Sequence, residues 1–283
     1  MINVRDVHVK RLLTPTGGYL TGYSHTLNPY AGCAFGCSYC YVRGMPVALF
    51  RGEPWGQWVD MKRNAAERLV RELRSAKKKG PVTIFLSSST DPYQPVEHKA
   101  RITRSLLEAM SEEQPDFLFV QTRSPLVVRD IDLLARFSER LRISVTVETD
   151  LEPIRKAFTP FAPPIPARLR ALGRLKEAGL PAQAAVSPVL PCSETFAQTL
   201  SRVVDEVCVD DFFMGDGSLG RRTERLGIRQ MFDKLGLSDW YDRKAYLRVV
   251  QQLKNEFPDS AISVGREGFL PRRPNVSRQV YDP

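Results

Sequence analysis

The sequence lacks several features that would point to a membrane, secreted or repeat protein. It has no run of about 18 consecutive apolar residues, so we expect no transmembrane helix. Residues 1–13 mix basic and acidic side chains without an apolar core, so we expect no signal peptide. Internal repeats and low-complexity tracts are absent, so the fold has to be read element by element.

Histidine and cysteine are scarce, and the cysteines are unevenly placed. With only three histidines, no serine–histidine–aspartate or paired-carboxylate site can be argued. The five cysteines are an odd number, and three of them lie within eight residues, unlike the even spacing of a secreted disulfide framework. This pattern is typical of metal chemistry in a reducing compartment, so we expect a cytoplasmic protein.

Composition allows a large core and favours an anionic partner. The chain has 283 residues, of which 42% are hydrophobic, enough for one barrel or two smaller domains. Its 41 basic and 32 acidic residues give a formal charge of +9. A basic surface suits nucleic acid or a nucleotide, although soluble enzymes without such a partner also carry an excess of arginine.

Hydrophobic periodicity predicts six strands that alternate with helices. The predicted strands are residues 22–27, 82–86, 117–121, 143–147, 181–189 and 207–213. The predicted helices are residues 55–78, 103–110, 129–140, 166–178 and 194–206. Such alternation is typical of a parallel α/β sheet, either doubly wound or curled into a partial barrel. Ligands of these sheets lie at the carboxyl ends of the strands.

The pattern changes after Gly220, where an arginine-rich stretch leads to a segment with aromatic residues, 237–257. This segment predicts a helix with one apolar stripe, formed by Trp240, Tyr246, Leu247, Val250 and Leu253. The last residues are basic and contain proline, which indicates a surface tail. We therefore expect a core barrel over residues 1–220 and a C-terminal helical extension with a basic tail over residues 221–283.

Cys33, Cys37 and Cys40 form a C-x3-C-x2-C spacing in a predicted loop. Three thiolates suit a 4Fe–4S cluster, which usually takes four protein ligands, so one iron is left open to an incoming ligand. Gly32 and Gly36 permit the backbone conformations that a loop needs to wrap closely around such a cluster. The spacing therefore predicts an open, catalytic iron–sulfur site.

Two other interpretations of the cysteine loop remain open. Structural zinc needs four ligands, of which His25 could supply the fourth, but zinc loops more often use paired C-x2-C motifs. The cysteines could also be packed as small apolar residues, with Phe35 and Tyr39 as core neighbours. Three thiols in one short loop favour the cluster over both.

An aromatic residue, Tyr39, precedes the last cysteine of the loop, and six α/β units follow it. In these features the chain resembles the radical S-adenosylmethionine (SAM) superfamily. The resemblance implies a partial (β/α)6 barrel of the TIM type with a C-terminal extension. It also implies a 4Fe–4S cluster that binds SAM at its open iron. Reductive cleavage of SAM would give a 5′-deoxyadenosyl radical, which abstracts hydrogen from a substrate.

Further segments resemble the spore photoproduct lyase-like branch of that superfamily. They are Asn28-Pro29-Tyr30, the Thr-Asp-Pro-Tyr-Gln-Pro run that begins at Thr90, Glu148-Thr149-Asp150, and Arg168 with the leucines that follow it. The resemblance covers residues 26–191. It implies Cys33, Cys37 and Cys40 as the iron ligands. It implies these cofactor contacts: Tyr41 near the adenine, Ser88, Ser89 and Thr90 on the ammonium, Arg123 on the carboxylate, Thr146 and Glu148 towards ribose or ammonium, and Ser187 beside the adenine.

The chain departs from the lyase at the hydrogen donor. The lyase uses a cysteine in the loop after the second strand, where this chain has serines at residues 87–89. A serine O–H bond is too strong to give up a hydrogen atom easily, so we do not expect repair of thymine dimers. Tyr39 and Tyr41 match the family's tyrosines beside the cluster and could relay a radical. Cys192 follows the predicted fifth strand, and we hypothesise that it replaces the missing donor; otherwise it is a buried apolar thiol.

Taken together, the residues predict a cytoplasmic radical SAM enzyme, lyase-like, that abstracts hydrogen from a nucleic-acid base or nucleotide. A second hypothesis keeps the radical chemistry but takes a peptide or small metabolite as substrate. A third is a non-enzymatic nucleic-acid-binding module with a structural metal. Either enzyme would need a reductant such as a flavodoxin or ferredoxin, and neither would need a membrane.

Overall fold

The structure is a computed structural model that describes residues 2–215 and 218–272. The predicted basic tail over residues 273–283 therefore lies outside the described residues. The strands are β1 Asn3–Val7, β2 Leu13–Pro15, β3 His25–Leu27, β4 Tyr30–Ala31, β5 Trp58–Lys62, β6 Thr83–Leu86, β7 Phe117–Thr122, β8 Leu141–Thr146, β9 Ala182–Val186, β10 Val207–Val209 and β11 Ile262–Val264. The α-helices are α1 Pro46–Leu49, α2 Ala65–Lys77, α3 Glu97–Ala100, α4 Ile102–Glu112, α5 Ile131–Leu134, α6 Glu152–Phe158, α7 Ile165–Glu177, α8 Phe196–Ser201, α9 Arg221–Arg225, α10 Ile228–Lys234 and α11 Ala245–Lys254.

The main sheet has the strand order β2-β3-β6-β7-β8-β9-β10-β11. Every neighbouring pair is parallel except β2 and β3. Its six middle strands are the six that the sequence predicts, in the predicted order, with β2 and β11 added at the edges. This arrangement confirms the partial (β/α)6 barrel of the TIM type.

Alternate residues of the strands face opposite sides of the sheet, as β geometry requires. On β7, Leu118 and Val120 pack against the core that the helices cover, whereas Phe117 and Phe119 face the other side. There they join an aromatic cluster formed by Tyr23, Phe85, Phe117, Phe119 and Phe269. The rings of Phe85 and Phe119 are stacked, with centroids 4.8 Å apart and planes inclined by 14°. The aromatic cluster lies in the barrel interior, just before the carboxyl ends of the strands.

A second sheet of the order β1-β5-β4 lies beside the cysteine loop, and it corrects one prediction. The predicted helix 55–78 is wrong over its first part, because Trp58–Lys62 is a strand and the helix begins at Ala65. This strand pairs in parallel with Asn3–Val7, far away along the chain, and buries Trp58 and Val59. Local periodicity carries no information on such a distant partner.

The other predicted elements differ mainly at their ends. The predicted helix 129–140 is largely 3₁₀ turns around the short α5, and a positive φ of 50° at Ser138 interrupts the turn that follows α5. The predicted strand 181–189 ends at Val186, before the Ser187–Pro188 bond, which is cis. The strand predicted over residues 207–213 likewise ends early, at Val209. The shorter strands bring polar residues to the carboxyl edge of the sheet.

The C-terminal part of the chain is only partly the helix that the sequence predicts. Helix α11 buries Val249 and Leu253, but Leu247 is 48% exposed and Trp240 lies in a separate 3₁₀ turn. Strand β11 pairs in parallel with β10, so this part also contributes to the main sheet. The boundary after Gly220 stays a prediction. None of the helices among residues 2–215 and 218–272 has the length and apolar character to cross a bilayer.

Candidate active site

A cavity of about 560 Å³ opens at the carboxyl ends of the barrel strands. Most of the residues predicted as site residues line it: Cys33, Cys37, Tyr39, Cys40, Tyr41, Ser88, Ser89, Thr90, Arg123, Thr146 and Ser187. Glu148 and Cys192 are not part of its lining. A cavity of this size is in the range that binds small molecules and cofactors.

The cysteine loop is pressed against strand β5 and the turn before it. Gly32 has a positive φ of 79°, and a side chain there would collide with the carbonyl oxygen and ring of Trp58. Gly36, at φ +55°, would bring a Cβ within 3.1 Å of the Cα of Gly56. Both positions therefore require glycine, for backbone conformation and for close approach together.

Side chains from the Thr-Asp-Pro-Tyr-Gln-Pro segment hold the backbone of the cysteine loop. The hydroxyl of Thr90 donates to the carbonyl of Gly32 at 2.6 Å. Gln94, fully buried, accepts from the amide of Ala34 at 2.9 Å and donates to the carbonyl of Gly32 at 3.2 Å. Its Nε2 also lies 3.0 Å from Thr90 Oγ1. Thr90 lines the cavity as predicted, but its hydroxyl proton is used to fix the loop.

The thiols are held on the cavity wall by this backbone. Arg43 fixes the far side of the loop, donating to the carbonyls of Cys37 at 2.8 Å and Gly36 at 2.7 Å. Burial raises the pKa of the free Cys40 thiol to about 12, and it raises the pKa values of the Cys33 and Cys37 thiols as well. Iron would therefore have to displace three protons on binding.

A buried charge network lies behind the cavity wall. Arg123 donates through Nη1 to Tyr39 Oη and to Glu148 Oε1, both at 3.1 Å. Tyr39 donates to the same carboxylate oxygen at 3.0 Å, and Arg168 donates to Glu148 Oε2 at 2.6 Å. Burial alone would raise the pKa of Glu148, but the guanidiniums of Arg168 and Arg123 outweigh it and hold that pKa below its usual value. The network fixes the position of Arg123.

Thr146 ends the fourth barrel strand and lines the cavity, whereas Glu148 lies two residues beyond the strand and is not part of the lining. Both oxygens of the Glu148 carboxylate are taken by the two arginines and Tyr39. The Thr146 hydroxyl accepts from Gln121 Nε2 at 2.9 Å. A role for Glu148 as a direct cofactor ligand stays a prediction.

The serine loop after β6 is tied to Asn28 of the Asn-Pro-Tyr segment. Asn28 donates to Ser88 Oγ at 3.4 Å and accepts from the amide of Ser89 at 3.0 Å. The hydroxyl of Tyr41 donates to the carbonyl of Ser88. These contacts join the second barrel loop to the end of the cysteine loop, so the predicted ammonium-binding hydroxyls and the predicted iron ligands form one unit.

Cys192 lies away from the cavity. Its thiol is 3.8 Å from the amide oxygen of Gln252 on α11, and burial raises its pKa to about 12. The hypothesis that it donates hydrogen stays a prediction. Substitution Cys192→Ala tests it, because an unchanged product and turnover would remove Cys192 from the reaction.

Sequence reasoning missed Asp210, which lines the cavity where strand β10 ends. Its Oδ2 accepts from the hydroxyls of Tyr19 at 3.4 Å and Ser187 at 3.5 Å. Burial, followed by the negative charge of Asp211, raises the pKa of Asp210 to about 7. Two acidic residues directly after an apolar strand were the available sign, since such positions face the site in parallel sheets.

Comparison with known proteins identifies a family whose sequences are similar to this chain. A model of the radical SAM superfamily matches residues 27–200. An uncharacterized protein of Methanocaldococcus jannaschii is 31% identical over 190 residues, which cover 67% of this chain and 69% of that protein. An uncharacterized protein of Acidianus two-tailed virus is 33% identical over 172 residues, which cover 58% of this chain and 56% of that protein. The match thus spans little more than half of the viral relative.

Among solved structures, the fold is similar to that of spore photoproduct lyase. One variant of that lyase gives a TM-score of 0.67 at 13% identity, over 92% of this chain and 81% of the lyase chain. A complex of the lyase with a dinucleoside spore photoproduct gives a TM-score of 0.64 at 13% identity, over the same shares of the two chains. At this identity the likeness concerns the fold alone.

Proposed function

Because the chain belongs to the radical SAM superfamily, and is thus a radical SAM enzyme, we propose that Cys33, Cys37 and Cys40 hold a 4Fe–4S cluster whose open iron binds SAM. The observation that carries the proposal is that all three thiols line one cavity with the strand-end loops. When bound, the cluster and SAM supply a 5′-deoxyadenosyl radical for hydrogen abstraction. The chain's own residues position SAM and the substrate and exclude water.

The donor set fits a cluster better than a single ion. Among the described residues, three thiols and no histidine line the cavity, which suits iron–sulfur chemistry. Over residues 2–215 and 218–272, no three histidine, cysteine or acidic side chains converge on one point as a mononuclear site requires. Thiolates of a cubane each bind a different iron and need not converge, so this finding leaves the cluster proposal as it stands.

Arg123 is our candidate for the SAM carboxylate. It lines the cavity, and its Nη1 is fixed by Tyr39 and Glu148. A guanidinium has five N–H donors, so the remaining ones can bind a carboxylate in the bidentate manner that arginine favours. Ser88 and Ser89 on the neighbouring loop are candidates for the ammonium, and Tyr41 and Ser187 for the adenine.

The proposed substrate is a nucleic-acid base or nucleotide. The formal charge of +9 favours a polyanion, and Arg222 adds a cationic side chain to the cavity wall. A lyase of similar fold has been seen with a dinucleoside spore photoproduct. A peptide or small metabolite is the alternative substrate. The hypothesis of a non-enzymatic module is not retained, because the family is one of enzymes.

The cluster is tested by anaerobic reconstitution with iron and sulfide. We expect about four irons per chain and a broad visible absorption from sulfur-to-iron charge transfer. Cys37→Ala should lose most of both. The matched control is Ser38→Ala in the same loop, where the buried hydroxyl has no hydrogen-bond partner among the described residues. Equal iron content in the two variants would contradict the assignment.

SAM cleavage is tested on the reconstituted protein. Dithionite, standing in for a flavodoxin or ferredoxin, plus SAM should release 5′-deoxyadenosine. An intact cluster without release would contradict the proposed activity. Binding of a single-stranded DNA oligonucleotide at increasing salt tests the substrate class, because each displaced phosphate counterion steepens the salt dependence. Salt-independent or undetectable binding would favour the small-substrate alternative.

A further inference from the structure

Asp210 lines the cavity with a carboxyl group to which the described residues donate only weak hydrogen bonds. The residue is only 3% exposed, and it lines the cavity where β10 ends. Its Oδ2 has two long hydrogen bonds, from Tyr19 and Ser187, but its Oδ1 has no partner within the part of the chain that the structure describes. A buried carboxylate oxygen without a donor costs folding free energy, so its persistence points to a ligand that supplies one.

Tyr19, Phe85 and Phe269 are among the aromatic residues that line the same cavity. Tyr19 contacts Phe269, with ring centroids 6.2 Å apart, and Phe85 is supported from behind by its stack on Phe119. Aromatic faces bind flat rings by stacking whatever the sequence of the bases, whereas a carboxylate selects a ring that carries an N–H donor. The combination fits a planar heterocycle with an N–H on its edge.

We propose that Asp210, with Tyr19, Phe85 and Phe269, holds the base of the substrate, and that an N–H of this base donates to the Asp210 carboxylate. The inference rests on the proposed function, because it specifies how a nucleotide substrate is bound in the same cavity. An exocyclic amino group or a ring imide N–H is the donor that the subsite takes. The perturbed carboxyl, with its pKa raised to about 7 by burial and then by Asp211, is typical of a functional position.

The subsite belongs to the substrate rather than to SAM, because all of its residues except Phe85 lie outside the part of the sequence that the superfamily model matches. The superfamily model matches residues 27–200, which contain the cysteine loop, the serine loop and Arg123. Tyr19, Asp210 and Phe269 all lie outside this range. Members of a superfamily share the cofactor and differ in substrate, so side chains added from outside the shared part suit the substrate.

The test uses reconstituted holoenzyme with SAM bound and the four 2′-deoxynucleoside 5′-monophosphates as probes. Equilibrium dialysis should find one nucleotide that binds most tightly, and Asp210→Asn should weaken this binding at least tenfold. The control is Asp205→Asn, a carboxylate 76% exposed and paired with Lys176, which should bind as the unchanged protein does. The inference is overturned if none of the four nucleotides binds. It is also overturned if Asp210→Asn weakens the binding of SAM as much as the binding of the nucleotide.

A second measurement needs no variant. The tightest nucleotide is compared with its analogue methylated at the donating nitrogen, and we expect at least tenfold weaker binding of the analogue to the unchanged protein. Equal binding would overturn the inference. Release of 5′-deoxyadenosine is measured on the same holoenzyme, so failure of the nucleobase subsite and failure of the radical chemistry give different results.

Discussion

At the scale of single residues, Glu148 and Arg168 form an ion pair that water hardly reaches. The side chains are 1% and 0% exposed, and the ion pair closes at 2.6 Å. Glu148→Gln leaves Arg168 buried without its counter-charge, so we expect the free energy of unfolding to fall by about 3–5 kcal/mol. Urea unfolding at neutral pH measures this change.

The control for Glu148 is again Asp205→Asn, whose exposed ion pair with Lys176 should contribute less than about 1 kcal/mol. The pH dependence gives a second check. The folded pKa of Glu148 is lowered, so its stabilisation is present above the unfolded value of about 4.3 and is lost as pH falls towards the folded pKa. A variant that is as stable as the unchanged protein at pH 7 would contradict the role of the pair.

Asp210 should show the opposite pH dependence. Its folded pKa is raised from 3.8 to about 7, so the unchanged protein loses stability as pH rises through this interval. Asp210→Asn removes the ionisation, and at pH 8 the variant should be more stable by up to about 4 kcal/mol. Thermal unfolding at pH 4 and pH 8 measures this, and a difference that does not grow with pH would refute it. A stabilised variant that loses nucleotide binding would show that the carboxyl is kept for function.

At the scale of elements, the cysteine loop depends on its contact with strand β5. Gly32→Ala adds a Cβ that would meet the carbonyl oxygen and ring of Trp58, in a conformation with φ +79°. Gly179→Ala, at φ +69°, adds a Cβ that, apart from its chain neighbours, has no atom of residues 2–215 and 218–272 within 4 Å, so it carries the conformational cost alone and is the matched control. We expect Gly179→Ala to lower the free energy of unfolding by about 1–2 kcal/mol, and Gly32→Ala to lower it clearly more.

Iron content should separate the two glycine variants further. Gly179→Ala lies after α7, away from the loop, and should reconstitute with the normal amount of iron. Gly32→Ala should lose cluster absorbance, because Thr90 and Gln94 both bond to the Gly32 carbonyl that must shift. Equal stability and equal iron in both variants would show that the packing against Trp58 does not hold the loop.

The elements that could be predicted from sequence are those whose pattern is local. Strands β6 to β10 are short apolar runs between helices, and their order follows from the alternation. Strand β5 was missed because it is defined by pairing with Asn3–Val7, and β11 because Ile262–Val264 is short and its partner is β10. Such non-local pairs leave no periodic trace in a short segment.

Some residues of the candidate site could be predicted from the sequence, and others could not. The cysteines, the serine loop and Arg123 lie directly after predicted strands, so sequence reasoning brought them to one cavity. Asp210 was missed because the predicted strand 207–213 ran through this position, whereas the strand ends at Val209 and leaves Asp210 at its carboxyl end. The structural role of Gln94 was missed because only the folded loop brings its amide to the backbone of Gly32.

At the scale of the whole molecule, residues 19–23 before β3 and residues 266–269 after β11 meet in the aromatic cluster of the partial barrel. Tyr23, before β3, packs edge-on against Phe85 with ring centroids 5.4 Å apart. Phe269, after β11, packs on Phe119 at 6.1 Å, and Arg266 donates to the carbonyl of Thr21. The two segments complete the aromatic cluster, so the predicted extension and the barrel share one interior.

This shared interior predicts that the extension does not unfold separately. Phe269 is 7% exposed. Replacing it by alanine should lower the free energy of unfolding by about 3–5 kcal/mol, because the cavity left in the aromatic cluster affects the whole barrel. Phe50→Ala, at a side chain 86% exposed, should change stability by less than about 0.5 kcal/mol. Urea unfolding followed by tryptophan fluorescence and by far-UV circular dichroism should give one coincident transition that Phe269→Ala shifts as a whole. Two separate transitions, with only the weaker one shifted, would mean that the C-terminal part is an independent domain.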